Sequence, residues 1–72
     1  MVEIFKTNVT NKRLASRVLK TLHASLPCYH FNFDLEDCDR ILRAQSADEP
    51  IEIALVIKIV KDCRVDVGLF EG

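Results

Sequence analysis

No glycine occurs between positions 1 and 67; the chain's two glycines are Gly68 and Gly72. A loop that cradles phosphate brings its backbone against the ligand, and glycine is what permits that approach. Neither a P-loop nor a dinucleotide-binding turn can be built here, and much enzyme chemistry goes with them. The chain has 72 residues, which allows one domain spanning 1–72. A domain this small buries only roughly 60% of the surface its unfolded chain exposes, so each apolar residue matters to its core. At 49% hydrophobic it still belongs with folded domains and not with disordered tails. A net charge of -1 argues against a nucleic-acid binder, whose footprint is a basic patch.

The pattern along the chain alternates between strand and helix periods. Residues 2–9, VEIFKTNV, are rich in β-branched and aromatic types and predict a strand. Over 12–26, apolar residues at 14, 15, 18, 19, 22 and 26 make a one-sided helical stripe. Thr10 or Asn11 can cap that helix and Pro27 ends it. Residues 29–36 alternate, with Phe31, Phe33 and Leu35 on one side and His30, Asn32, Asp34 and Glu36 on the other. A polar hairpin turn at 36–39 leads to a returning strand at 40–45. Asp48 is placed to cap a second helix, with Pro50 in its first turn and an end near Asp62. VDVGLF, 65–70, is a last short strand. The order βαββαβ, with right-handed crossovers, predicts a ferredoxin-like α+β fold: a four-stranded antiparallel sheet, order 4-1-3-2, with both helices on one face; the periodicity alone also fits a plain α+β hairpin domain.

Residues 5–22, FKTNVTNKRLASRVLKTL, resemble the opening of a heavy-metal-associated domain, the family of copper-chaperone-like metal carriers. In that family a first strand leads into a C-x-x-C loop and a helix that begins with small residues. Ala15-Ser16-Arg17-Val18 resembles that helix start, and Val9 falls where the family has a buried methionine or isoleucine. FNFDLEDCDRILRA and VKDCRVDVGLFE extend the likeness over nearly the whole chain. The cysteine pair itself is missing: its positions fall on Asn11 and Leu14. Asn8 and Cys63 stand where the family often has glycine. Soft metals such as Cu(I) need thiolates, so the family's metal carriage does not transfer by motif.

Cys28, Cys38 and Cys63 are three, with no paired spacing, a poor disulfide framework. The opening MVEIFKTNVT is not a signal-peptide pattern, and the longest apolar stretch, Ile53 to Ile57, is far short of the ~18 residues that span a bilayer. A cytoplasmic location with free thiols is expected, without membrane association. In the expected topology Cys38 and Cys63 lie toward opposite edges of the sheet, too far apart for one ion. Cys28 lies at the other end, and His23 and His30 project from different elements. No metal or other cofactor is therefore expected, and Cys63 is the candidate reactive thiol. Asp34, Glu36, Asp37 and Asp39 read as a solvated turn with no apolar pocket to hold acid–base chemistry. No nucleophile pairs with a base, so no catalytic residue is assigned. The excess of bases before position 36 and of acids after it reads as solvated faces. RNA-binding domains of this topology stack bases on aromatics of strands 1 and 3, and RILRAQ has none.

On the second helix Ile53, Val56, Ile57 and Val60 form the core stripe. Ile51, Leu55 and Ile59 fall at i, i+4 and i+8 on another side. They are the candidate interaction surface for a protein partner or a homodimer; the alternative is apolar surface covered by long neighbours such as Lys58. The sequence thus points to a small non-enzymatic interaction or regulatory module. The alternative is a role in metal homeostasis through a non-standard site involving Cys63.

Overall fold

The alternation in HFNFD sends Phe31 and Phe33 to one face of a strand, and that face meets the helices. In the computed structural model, which describes residues 1–36 and 40–70, this strand is β2, His30–Asp34. The full order is β1 (Val2–Thr7), α1 (Lys12–Ser25), β2, β3 (Ile41–Gln45), α2 (Ile53–Asp62) and β4 (Val67–Leu69). The sheet order is β2-β3-β1-β4 with every neighbouring pair antiparallel. Read from the other edge, this is the expected 4-1-3-2 order, and the fold is ferredoxin-like.

Register explains the core. Phe5 stands opposite Leu42 on β3 and Leu69 on β4, and Leu42 stands opposite Phe33 on β2. Phe31 stands opposite Ala44. Side chains of directly opposed residues share a face, so one face carries Phe5, Leu42, Ala44, Phe31, Phe33 and Leu69. Ala15, Val18 and Leu22 of α1, with Val56 and Val60 of α2, close over it. Both helices therefore cover the same face of the sheet.

The strands are shorter than the sequence pattern suggests, and each end has its reason. β1 stops at Thr7, whose hydroxyl donates to the Arg40 carbonyl (2.8 Å) and accepts from Val9 N–H (3.2 Å). Tyr29 precedes β2 because its ring is buried while its hydroxyl bridges to the loop before α2. The expected hairpin turn falls mostly on residues 37–39, including Cys38, outside the described residues.

The start of α2 corrects the sequence reading. Asp48 does not cap the helix and Pro50 is not in its first turn; α2 begins at Ile53 with Glu52 as N-cap. Pro50 disfavours helical backbone in the residue before it, which holds Glu49 out of a helix. The orphan donor at the cap is served from 23 residues away: the Tyr29 hydroxyl accepts from Glu52 N–H (3.2 Å) and donates to the Pro50 carbonyl (3.1 Å). Ile51 and Val56 then occupy the N′ and N4 positions of a hydrophobic staple, and both are buried.

The far end of α2 shows what the absence of glycine costs. Arg64 follows the helix with φ 63°, and its N–H donates to the Lys61 carbonyl at 2.9 Å. This left-handed position is one that glycine fills without a Cβ penalty. Arg64→Gly is expected to raise stability by about 0.5–1 kcal/mol, read from the urea midpoint at unchanged slope. An unchanged or lowered midpoint would mean the arginine side chain contributes more than its backbone strain removes.

Candidate interaction surface

At the loop end of the sheet, the polar side chains are already committed to the fold. Asn11 caps α1, its Oδ1 accepting from Leu14 N–H at 2.8 Å. These are the two positions where the resemblance places the absent cysteines; Leu14 itself is half-buried against the core. Asn8 is bound to Asp66 through three hydrogen bonds. Asn8 N–H donates to the Asp66 carbonyl (3.2 Å), Asp66 N–H to Asn8 Oδ1 (3.1 Å), and Asn8 Nδ2 to the Asp66 carboxylate (3.3 Å). The loop after β1 and the turn before β4 are thereby tied together.

The remaining candidate ligands are dispersed. Cys63 is the C-cap of α2, half-buried and packed against the core. Cys28 is exposed between α1 and β2, at the other end. His23 lies tilted against Phe31, ring centroids 5.8 Å apart. His30 is exposed and, by strand alternation, points from the opposite face of the sheet. Among the described residues, no group of three His, Cys, Asp or Glu is placed to hold an ion. Asp34 Oδ1 accepts from Glu36 N–H at 3.2 Å, a local turn bond.

The expected apolar stripe on α2 does not form as a unit. Ile51 precedes the helix and is 8% exposed, which corrects its placement as a surface residue. The reason is the staple just described, which draws Ile51 inward. Ile59 is half-buried against the core, and Leu55, at 37%, is the exposed member.

The edge formed by α1 and β2 carries a different surface, one that the sequence did not single out. β2 is an outer strand of the sheet. Beside it runs an open groove of about 640 Å³, lined on the helix side by Ala15, Ser16 and Leu19 and on the strand side by Phe33 and Leu35. Leu19, Phe33 and Leu35 are each only half-buried. At 100° per residue Lys12, Ser16, Leu19 and His23 share the flank of α1 that faces this edge. Arg13, Arg17 and Lys20 lie farther round the helix and are exposed. The near-neutral net charge had averaged this basic surface away.

α1 carries no acidic residue, and Lys12 and Arg13 occupy its first turn. Cations there oppose the helix dipole and forgo about 0.3–1 kcal/mol each relative to acids. Asp34 and Glu36 stand across the groove from Lys12, so the edge presents both signs of charge around an apolar floor. No family model, curated protein or solved structure matches this chain.

Proposed function

We propose that the chain is a non-enzymatic protein-interaction module that receives an extended strand of another polypeptide along β2. The observation that supports this reading is the contrast between the two edges of the sheet. β4 is blunted by its length, three residues. β2 is five residues long, contains no proline or lysine, and runs beside a groove floored by half-exposed apolar side chains. An unblunted edge of that kind offers backbone hydrogen bonds to an incoming strand. Pockets for alternate side chains of that strand then supply selectivity.

The test is site-specific photocrosslinking in cells expressing the full chain. A photoreactive residue is placed at Asn32, in the middle of the edge, or at exposed Lys61 on α2 as a control. A protein adduct that forms from position 32 and not from 61, and maps by mass spectrometry to one segment of the captured chain, is the expected result. No protein adduct at 32, or equal capture at both positions, would overturn the reading.

A further inference from the structure

We infer that the polypeptide received along β2 is a second copy of this chain, paired antiparallel about a two-fold axis through Asn32. The inference rests on the interaction-module reading and names its partner. The argument comes from the strand itself. β2 reads His30-Phe31-Asn32-Phe33-Asp34. A two-fold at its centre sets residue 30 against 34 of the second copy, 31 against 33, and 32 against itself. His30 then meets Asp34 of the other copy, an imidazole N–H donor against a carboxylate. By symmetry that contact occurs twice. Phe31 meets Phe33 twice, on the helix-facing side where Phe33 is left half-exposed in the lone chain. Asn32 meets its own amide, which has both a donor and an acceptor to offer.

The pairing is self-complementary in its donor–acceptor and ring contacts, as an isologous two-fold interface requires. A shift of two residues in the register would pair 30 with 32 and 34 with 28, or 30 with 36 and 32 with 34; either breaks both His30–Asp34 contacts and leaves three paired positions within β2 in place of five. A one-residue slip would turn the phenylalanines of one copy toward the opposite face. The symmetric register avoids both.

The flank of α1 that borders the groove carries Ser16, Leu19 and His23, while Arg13 and Arg17 lie on the side away from it. The second copy brings its own Asp34 and Glu36 toward the end of the edge where His23 and His30 lie. Joining two four-stranded sheets through β2 gives one continuous eight-stranded sheet. A five-residue strand pair with a short helix flank is a small interface, so the association is reversible and its extent depends on concentration.

The register can be trapped with purified protein. Asn32→Cys is oxidised mildly and the disulfides are mapped by peptide mass spectrometry. Paired residues on antiparallel strands lie about 4.5–5.5 Å apart at Cα, within disulfide reach. His30→Cys sits four pair positions from its own copy, roughly 13 Å along the strand, beyond that reach. A 32–32 intermolecular bond without a 30–30 bond is expected. Sedimentation equilibrium is expected to show a reversible dimer of the unmodified chain. His30→Asp, which opposes two carboxylates twice over, should weaken it about tenfold. The double variant His30→Asp/Asp34→His should restore it to within about threefold, and because both positions are exposed, the fold is unaffected.

A chain that stays monomeric at about 100 μM with no 32–32 bond overturns the dimer, as does a double variant as weak as the single one. A monomer that still gives a position-32 adduct to a different protein overturns only the second copy as partner. A monomer without such an adduct overturns the interaction-module reading as well.

Discussion

Phe5→Ala is expected to destabilise the chain by about 3–5 kcal/mol. Phe5 is fully buried in β1, the strand that pairs with both β3 and β4, and stands between Leu42 and Leu69 in register. Truncating a buried phenylalanine costs about 3–5 kcal/mol, the lost transfer energy plus the cavity left behind. At ~0.05–0.15 kcal/mol per residue, a 72-residue domain has about 4–11 kcal/mol in total. The loss therefore takes about a quarter of the stability at one end of these ranges and more than all of it at the other. Its cross-strand neighbours Leu42 and Leu69 are held on two different strands of the ladder, so they give little relief. Phe5→Leu, which keeps most of the volume, should cost clearly less. Thermal melts by circular dichroism, with amide spectra to confirm folding, separate the two. Equal midpoints for both variants and the unmodified chain would mean that Phe5 does not fill the centre of the core.

The overall architecture was legible because its signals are local. The alternation through Phe31 and Phe33 and the stripe through Ala15, Val18 and Leu22 each lie within one element. Handedness then favoured one order for four strands and two helices, although the periodicity alone also fitted a plain α+β hairpin domain. The entry to α2 was not legible, because what organises it is distant in the chain. Asp48 and Pro50 have the spacing of a cap and a first-turn proline. The hydroxyl that in fact serves Glu52 belongs to Tyr29, and nothing around residue 50 announces it. Arg64 shows a related limit. A left-handed residue after a helix is usually signalled by glycine, and a chain with none before position 68 must take that conformation with another side chain.

The groove beside β2 was obscured for a different reason. Lys12, Arg13, Arg17 and Lys20 read as an ordinary solvated face, and HFNFD read as an ordinary half-buried strand. Each reading is correct alone. Only the sheet order, which places β2 outermost beside α1, brings Lys12 and HFNFD to one edge with an apolar floor. The near-palindromic charge and ring pattern of β2 about Asn32 was visible in the sequence. It acquires a meaning once that strand is placed at the edge of the sheet among the described residues.

The second large effect is a contrast between two isoleucine- and leucine-to-lysine substitutions in the same segment. Ile51→Lys is expected to destabilise the domain by at least about 3 kcal/mol, and Leu55→Lys to change it by no more than about 0.5 kcal/mol. The helical period alone places both on one exposed stripe, four residues apart. The structure separates them. Ile51 lies before the first turn, between Pro50 and Glu52, both of which bond the Tyr29 hydroxyl, and its side chain is buried in the same core cluster as Val56. Lysine there loses the apolar contacts and must either bury an ammonium or pull the entry of α2 off the core. Leu55 is 37% exposed on the helix surface, so a lysine can run its methylene stem along the same path with its charge in water. Urea titrations of both variants, read by circular dichroism, give the two free energies directly. A folded Ile51→Lys with an unchanged midpoint would return Ile51 to the surface and remove the staple from the account of α2. An unfolded Leu55→Lys would show instead that the helix is turned so that Leu55 belongs to the core.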